Sequence, residues 1–278
     1  MLTQDQVREA WDDVAVGYDE VVTDTHRNLA EQVLRMAGLR AGMRFLDVAA
    51  GSGGLSIPAA KMGAKVLATD ISPVMIERFE ARAREEGLSN LEGCVMDAHE
   101  LELEDDSFDL VGSMFGVMLV PELDRALEEM RRVARPGGKV MVVTFGPVPQ
   151  VEFLGFFTRA MKAVIPNFQG LPSDPPPLPF QVADPEKLRQ AMDKAGLQDV
   201  HVARTTEALE FRSGQHLWNW VKSSNPIGAR WAAGLAPEQV SAVQNKLDQM
   251  LDERAGEEDV AVLRIAVNVG IGRKDKRS

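Results

Sequence analysis

A glycine turn between a short apolar segment and a helix is the first feature that could do chemistry. The segment Phe45–Ser56 reads FLDVAAGSGGLS, in which a strand-like run leads into Gly51 and Gly53. Because glycine has no side chain, the backbone of such a turn can approach a ligand closely, and the amides of the next helix point at it. Asp47 lies within the run, and Asp70 follows Gly51 by 19 residues. This arrangement predicts a ligand site at the glycine turn.

Dinucleotide binding is one chemistry that uses a strand, a glycine turn and a helix in this order. It favours the spacing G-x-G-x-x-G/A, in which Gly51 and Gly53 match but Ser56 stands at the third position. A carboxylate such as Asp70 suits the ribose of NAD and equally that of other nucleotide-like ligands. The spacing therefore weakens a dinucleotide interpretation without excluding it.

The elements that must position these residues alternate between strand-like and helical periodicity. Apolar runs predict strands over Arg44–Ala50, Lys65–Asp70, Leu91–Asp97, Phe108–Gly116 and Lys139–Phe145. Helices are expected over Leu55–Met62, from Pro73 after a Ser72 cap to Gly87, and over Leu123–Val133, with a turn at Arg135–Gly138. Such alternation predicts right-handed crossovers and a parallel sheet covered by helices on both faces.

After Phe145 the regular alternation ends. Residues 148–181 are expected to hold a helical stretch and a stiff proline-rich loop, LPSDPPPLPF, and a further helix follows Asp184. Long strands are predicted over Val200–Phe211 and Val260–Lys274, and we expect them to pair. Residues 213–256 are expected to be helical in at least two pieces. Because open α/β sheets bind ligands at the carboxyl ends of their strands, helices inserted here would cover that edge as a lid.

Several separate segments resemble the class I S-adenosylmethionine-dependent methyltransferases. The glycine turn resembles the family's first motif, with Ala49 where the family has glycine. The segment EEMRRVARPGGKVMVV resembles the helix, turn and strand of the small-molecule type, including the methyltransferases of ubiquinone and menaquinone biosynthesis. Trp11–Val21 resembles the helix that precedes the domain. The resemblance covers residues 7–145 and implies an α/β fold, a Rossmann-like seven-stranded, mostly parallel sheet with a helical lid.

The resemblance also implies the cofactor, S-adenosylmethionine, and its contacts. Gly51 and Gly53 would pass under the methionine part, and Asp47 would orient its ammonium directly or through water. Asp70 would accept both ribose hydroxyls, and Asp97 would recognise the adenine amino group. The cofactor-binding residues expected in this way are Tyr18, Asp47, Ala49, Gly51, Gly53, Asp70, Ile71, Met75, Asp97, Ala98 and Ser113.

A catalytic base is harder to find than a binding residue. The sulfonium of the cofactor already activates the methyl group, so a base is needed only where the acceptor loses a proton early. His26 is the candidate, because it follows the Tyr18 segment, where lid and acceptor pocket should meet; a packed histidine near a helix start is the alternative. His216 is a possible substrate contact in the lid. Met118 stands where the family often has a polar residue, which favours a hydrophobic acceptor.

Composition excludes several other classes of protein. The 278 residues carry a net charge of −11, and the excess of acids lies in residues 1–146, so affinity for nucleic acid is not expected. Cys94 is the single cysteine, which excludes an internal disulfide and a Cys-rich zinc centre, and no metal site is expected. No apolar run reaches about 18 residues and the start does not read as a secretory signal, so we expect a cytoplasmic location without membrane contact.

The predicted organisation has five parts. They are an N-terminal lid helix in residues 1–30, the S-adenosylmethionine-binding core in 31–146, an inserted helical lid in 147–183 and 212–256, a closing helix and strands in 184–211 and 257–273, and a tail in 274–278. The predicted function is methyl transfer to a small, largely apolar or aromatic molecule, through O, N or C. Methylation of a macromolecule, an NAD(P)-linked oxidoreductase and a non-catalytic binding protein stay open, as does the choice of monomer or dimer.

Overall fold

A single mixed sheet organises the part of the chain that the computed structural model describes, residues 3–172 and 174–276. Its strands are β1 (Arg44–Val48), β2 (Lys65–Asp70), β3 (Leu91–Val95), β4 (Phe108–Met114), β5 (Ala134–Phe145), β6 (Gln198–Phe211) and β7 (Ala261–Arg273). They lie in the order β3-β2-β1-β4-β5-β7-β6. The five strands β1 to β5 run parallel to one another, and β7 runs antiparallel to both of its neighbours, β5 and β6. This order confirms the predicted seven-stranded, mostly parallel sheet and the pairing of the last two strands.

Ten α-helices lie within the described ranges. They are α1 (Gln4–Val21), α2 (Arg27–Ala37), α3 (Ser56–Lys61), α4 (Pro73–Glu85), α5 (Leu123–Val133), α6 (Glu152–Val164), α7 (Pro185–Lys194), α8 (Gly214–Ser224), α9 (Pro226–Ala233) and α10 (Pro237–Ala255). Side-chain caps begin several of them, as the sequence predicts: the Ser72 hydroxyl accepts the Met75 amide at the start of α4. The helical region 213–256 forms three helices, because Asn225 caps a new helix at Pro226 and Pro237 begins another.

Several element ends differ from the sequence prediction. The strands β1 and β4 end two residues early, because Ala49 and Phe115 take positive φ angles of 54° and 60° that leave the sheet. The strand β3 likewise ends at Val95 rather than Asp97. The turn expected at Arg135–Gly138 lies within β5 as an irregularity, since the register jumps there between Phe108 and Leu110 on β4. In residues 148–181 the helix ends at Val164.

Five helices pack on one another to form a layer that we call the cap: α1, α6, α8, α9 and α10. The helices α6 and α10 also contact β7, and α1 contacts α4, so the cap joins both ends of the sheet. No helix among residues 3–172 and 174–276 is long and apolar enough to cross a membrane. Residues 1–2 of the predicted lid helix, Ser173 of the proline-rich loop and residues 277–278 of the predicted tail lie outside the described residues.

Candidate active site

A cavity lies between the strand ends and the cap, and it encloses about 1370 Å³ with its open mouth included. Residues at the carboxyl ends of β2 and β5 line one side, such as Asp70 and Phe145. Cap residues line the other, such as Tyr18 from α1 and Trp220 from α8. Open α/β sheets bind their ligands at this edge, and mostly apolar cavities with a few polar groups are typical of small-molecule sites.

Most of the residues predicted to contact the cofactor come together in this cavity. The eight that line it are Tyr18, Ala49, Gly51, Asp70, Ile71, Met75, Asp97 and Ala98. The predicted base His26 lines it as well. The other three predicted contacts, Asp47, Gly53 and Ser113, lie behind the lining, and their local contacts explain why.

The glycine turn and the end of β2 are held together by Asp70. One carboxylate oxygen accepts the Gly51 amide and the other accepts the Ser72 amide, both at 2.9 Å. Asp70 nevertheless faces the cavity. Burial raises the pKa of its carboxyl to about 6, although the hydrogen bonds from the two amides act to lower it. Two amides therefore fix a carboxylate whose remaining lone pairs can accept hydroxyl protons of a ligand.

Asp47 is almost fully buried within β1, behind the turn. Its Oδ2 accepts the Ser56 hydroxyl at 2.6 Å, whereas its Oδ1 is buried and has no hydrogen-bond partner among the described residues. Burial raises the pKa of this carboxyl to about 7. A buried oxygen of this kind costs free energy until a donor reaches it. The arrangement fits the predicted ammonium of the cofactor, acting through water because Asp47 does not line the cavity.

Gly53 and Ser113 lie behind the residues that line the cavity and support them by packing. A Cβ atom at Gly53 would come within 2.6 Å of the Phe79 ring, so glycine there permits close packing against α4. Ser113 is fully buried, and its hydroxyl accepts the Val117 amide at 3.0 Å in the turn after β4. The expectation that these two residues contact the cofactor directly is therefore not supported by their geometry.

Asp97 lines the cavity and lies close to the start of α1. Its Oδ1 accepts the backbone amide and Nδ1 of His99, at 2.9 and 2.7 Å. Its Oδ2 accepts Nε2 of Gln4 at 2.7 Å. The hydrogen bond from His99 holds the pKa of the Asp97 carboxyl below its usual value. An ionised carboxylate therefore faces the cavity at the end predicted to hold adenine, and it also ties the first turn of α1 over that end.

Tyr18 covers the glycine turn from the cap. Its ring would lie 3.2 Å from a Cβ atom at Gly51, which is a reason for glycine at that position besides its φ of 56°. Burial and the negative charges of Asp70, Asp47 and Glu207 raise the pKa of the Tyr18 phenol. The phenol therefore stays protonated and can donate a hydrogen bond to a ligand carboxylate.

Aromatic rings form the other end of the cavity, and we call them the aromatic wall: Phe115, Phe145, Phe153, Phe180 and Trp220. The Phe145 ring lies at the centre, 4.7 Å from Phe115 and stacked 6.0 Å from Phe180. Phe153 meets the Trp220 ring edge-on at 4.8 Å. Since these rings come from strand ends and from the cap, the wall can bind a flat apolar molecule from several sides.

His26 lies beside this wall, and it is paired with a residue that the sequence reasoning missed. Its Nδ1 is 2.8 and 2.9 Å from the two carboxylate oxygens of Glu207. Both side chains are about 5% exposed. A signal for Glu207 exists in the sequence: on β6 it shares a face with Leu209 and Phe211, which are buried, so a carboxylate stands on an apolar face.

Two cap residues, His216 and Trp231, differ in their relation to the cavity, and Met118 lies outside the cap. His216 does not line the cavity; its ring lies 5.4 Å from Phe211, and its Nδ1 accepts the Arg212 amide at 3.4 Å. A substrate contact from His216 is therefore not supported. Trp231 lines the cavity and stacks on Phe157 inside the cap. Met118 also lines the cavity, as expected for an apolar acceptor end.

Residues 1–209 match the model of the ubiE/COQ5 methyltransferase family. The chain belongs to this family. A demethylmenaquinone methyltransferase of Clavibacter sepedonicus is 38% identical over 176 residues, covering 60% of this chain and 69% of that protein. A ubiquinone/menaquinone biosynthesis C-methyltransferase of Hydrogenovibrio crunogenus is 30% identical over 220 residues, covering 73% and 86%. An uncharacterized protein of Mycobacterium tuberculosis H37Rv is 38% identical over 176 residues, 57% of this chain and 62% of that protein, so the match spans less than two thirds of it.

Solved structures show the same fold at low identity. The [4+2]-cyclase SpnF superimposes with a TM-score of 0.62 at 19% identity, covering 99% of this chain and 97% of that one. A Haemonchus contortus phosphoethanolamine N-methyltransferase gives 0.62 at 17%, covering 99% and 61%. The family and fold predicted from the motifs are thus confirmed. Membership of a methyltransferase family confirms the predicted cofactor class, S-adenosylmethionine. Because SpnF is a cyclase with this fold, the fold alone does not identify the reaction.

Proposed function

We propose that this protein transfers a methyl group from S-adenosylmethionine to a small, largely apolar or aromatic acceptor. The observation that carries the proposal is the continuity of one cavity. At one end stand the carboxylates Asp70 and Asp97, and at the other stands the aromatic wall with His26. A polar end for a nucleoside and an apolar end for an acceptor are therefore joined without a barrier.

The polar end supplies the groups that a bound nucleoside needs. When bound, the cofactor supplies a methyl group activated by its sulfonium. Asp70 offers ribose hydroxyls a carboxylate fixed by two amides, and Asp97 faces the adenine end. Tyr18 can donate a hydrogen bond to the carboxylate of the cofactor. The Oδ1 of Asp47, which has no partner among the described residues, can accept a hydrogen bond from a water molecule bound to the cofactor ammonium. Ala49, Gly51, Ile71, Met75 and Ala98 complete the proposed contact surface.

The apolar end holds the acceptor by shape and ring contacts. The aromatic wall offers ring faces and edges about 5–6 Å apart, the usual spacing of aromatic pairs. Holding two reactants in line supplies a large part of the rate of a displacement, so positioning is the main task of this end. Two relatives, a demethylmenaquinone methyltransferase and a C-methyltransferase of ubiquinone and menaquinone biosynthesis, support a ring-bearing acceptor.

Calorimetry tests the cofactor half of the proposal. The wild-type protein is titrated with S-adenosylmethionine, S-adenosylhomocysteine and NAD(P)H, beside Asp70→Ala and the exposed control Asp259→Ala. We expect the first two ligands to bind to the wild type and the control only. Binding of the nicotinamide cofactor alone would refute the proposal and favour an oxidoreductase.

Acceptor trials test the other half. Release of S-adenosylhomocysteine is followed with phenols, quinols and amines, and a labelled methyl group is followed into cell extract. Label in small molecules supports the proposal, whereas label in RNA or protein supports the macromolecular alternative. A non-catalytic protein would bind the cofactor and transfer nothing. A cytoplasmic location, the absence of a nucleic-acid partner and the division into lid and core remain predictions that accompany this function.

A further inference from the structure

His26 and Glu207 form an isolated buried pair at the acceptor end of the cavity. They stand 181 positions apart in the chain, and Nδ1 of His26 is within 2.9 Å of both Glu207 oxygens. We propose that this pair is a base dyad, in which His26 removes the hydroxyl proton of a phenolic acceptor and Glu207 positions the imidazole. The inference rests on the proposed function and adds to it the two residues that activate the acceptor.

The geometry fixes which nitrogen of His26 is available. A buried carboxylate is costly unless it is paired, and among the described residues His26 is the only side chain that hydrogen-bonds to Glu207. The Nδ1 nitrogen therefore donates its proton to Glu207, which leaves the lone pair of Nε2 free in the neutral ring. In the part of the chain described, no hydrogen bond engages Nε2, and His26 lines the cavity.

The ring of His26 is also held in place by packing. It lies 5.1 Å from Phe115 and 6.0 Å, edge-on, from Trp220, and both of these line the cavity. The Trp220 indole donates to the hydroxyl of Thr25, the residue before His26, at 3.3 Å. A base must be held in a defined orientation to accept a proton, and these contacts on two sides supply that restraint.

The surroundings of His26 select the class of acceptor. The other titratable residues that line the cavity are Tyr18, Asp70, Asp97 and His99, which belong to the cofactor end. The Glu207 carboxylate is hydrogen-bonded to His26 and does not line the cavity, so none of the described residues offers a free anion to an amine cation at this end. A lone-pair nitrogen beside aromatic rings suits a flat, neutral ring that carries a hydroxyl.

The proton transfer balances within the groups named. The O–H bond of the acceptor breaks and its electron pair stays on oxygen, which raises the electron density of the oxygen and of the ring. The proton forms a bond with the lone pair of His26 Nε2. The resulting imidazolium lies directly against the Glu207 carboxylate, which compensates its charge in a buried place.

Binding of 4-nitrophenol, a probe that turns yellow when ionised, tests the dyad without turnover. The protein is saturated with S-adenosylhomocysteine, and the absorption of bound 4-nitrophenol is recorded at about pH 6.5, where the free phenol is mostly neutral. We expect bound phenolate with the wild type, and a phenolate fraction lower by about tenfold with Glu207→Gln or His26→Gln. The matched controls are Glu210→Gln and His201→Gln, exposed residues on the same strand β6, which should behave as the wild type.

Nitrogen NMR of the His26 ring gives a readout on the unmodified protein. We expect the Nδ1–H tautomer in the wild type and its loss in Glu207→Gln. For any phenol that is turned over, Glu207→Gln should lower kcat about 10- to 100-fold with KM unchanged, a split that a merely structural pair would not produce.

The outcomes distinguish failure of the proposed function from failure of the dyad. If S-adenosylhomocysteine does not bind, the proposed function fails. If it binds but 4-nitrophenol is excluded, bound neutral, or ionised equally in Glu207→Gln, the dyad is refuted and the proposed function stands. Should Glu207→Gln not fold, the His26→Gln spectrum and the wild-type tautomer decide, and an Nε2–H tautomer would overturn the inference.

Discussion

The backbone amide of Gly51 donates to the Asp70 carboxylate at 2.9 Å, which joins the turn after β1 to the end of β2. The same carboxylate is predicted to accept the ribose hydroxyls. One residue thus both fixes the glycine turn and presents the binding group. Changes at Asp70 should therefore affect affinity more strongly than a single lost hydrogen bond would.

The first prediction concerns the strength of cofactor binding. Replacing Asp70 with Ala removes two charge-assisted hydrogen bonds to a ligand, each worth about 1.5–3 kcal/mol, so affinity for S-adenosylmethionine should fall at least about 100-fold. Calorimetry measures the loss, with Asp259→Ala as the exposed control. An affinity within a factor of three of the wild type would show that the ribose does not lie at Asp70.

The second prediction concerns the pH dependence of that affinity. The pKa of the carboxyl is about 6 for Asp70 and about 7 for Asp47 in the cofactor-free protein, both raised first by burial. A cationic cofactor binds better to the ionised forms, so its affinity should rise from about pH 5.5 to pH 8, and binding at about pH 6 should release protons. Titration in buffers of different ionisation enthalpy counts those protons. A flat profile would contradict the assignment of both carboxylates.

The third prediction concerns the stability of the protein without cofactor. The folded-state pKa of Asp47 is raised to about 7 from 3.8, so this group stabilises the fold below about pH 4 relative to higher pH, and that contribution is lost as the pH rises through 7. Asp47→Asn removes the buried charge while keeping an oxygen for the Ser56 hydroxyl. At pH 8 we expect the free energy of unfolding to increase in this variant, and the Tm to rise by about 2–4 °C for each kcal/mol of that increase.

The same variant at about pH 4 serves as its own control. At that pH Asp47 is already protonated in the folded state, so the gain in Tm should be much smaller. Cofactor affinity should fall in Asp47→Asn at pH 8, and much less at about pH 4, where the wild-type carboxyl is already neutral. Equal gains at the two pH values would show that the buried charge of Asp47 is not the cause.

The fourth prediction separates packing from binding in the glycine turn. Gly53→Ala would place a methyl group 2.6 Å from the Phe79 ring at a φ of 98°, so it should destabilise the fold by about 1–3 kcal/mol. The matched control is Gly155→Ala on α6, where no atom of the described residues, apart from its chain neighbours and the backbone of its own helix, lies within 4 Å of the added methyl group. This variant should be neutral or slightly stabilising. Denaturant unfolding measures both. An unchanged midpoint for Gly53→Ala would contradict the close packing.

The fifth prediction concerns the aromatic wall. Phe145 lies at its centre, so Phe145→Leu should weaken binding of aromatic acceptors about tenfold, because it removes ring contacts of about 0.5–1.5 kcal/mol each. Affinity for S-adenosylhomocysteine should not change. Phe168→Leu, outside the cavity lining, is the control. If acceptor binding stays the same while cofactor binding falls, the two ends of the cavity have been assigned in reverse.

Local signals were sufficient for the sheet. The Ser72-Pro73 start, the apolar strand runs and the Asp70 and Asp97 positions follow from periodicity and capping, which depend on neighbouring residues. Local signals failed at the ends of β1 and β4, where Ala49 and Phe115 take positive φ angles that their side chains do not favour. Nor do local signals indicate the packing role of Gly53 and Ser113, which depends on Phe79 and on the turn after β4.

The sequence by itself therefore determined the fold family, the cofactor class and the edge of the sheet at which the candidate cavity lies. Only the tertiary structure decided which side chains meet at the acceptor end. His26 and Glu207 are separated by 181 residues, and they come together because β6 lies beside β7 and Glu207 faces inward with Leu209 and Phe211. Periodicity reports which face of a strand is buried, but the partner across that face depends on how distant elements pack.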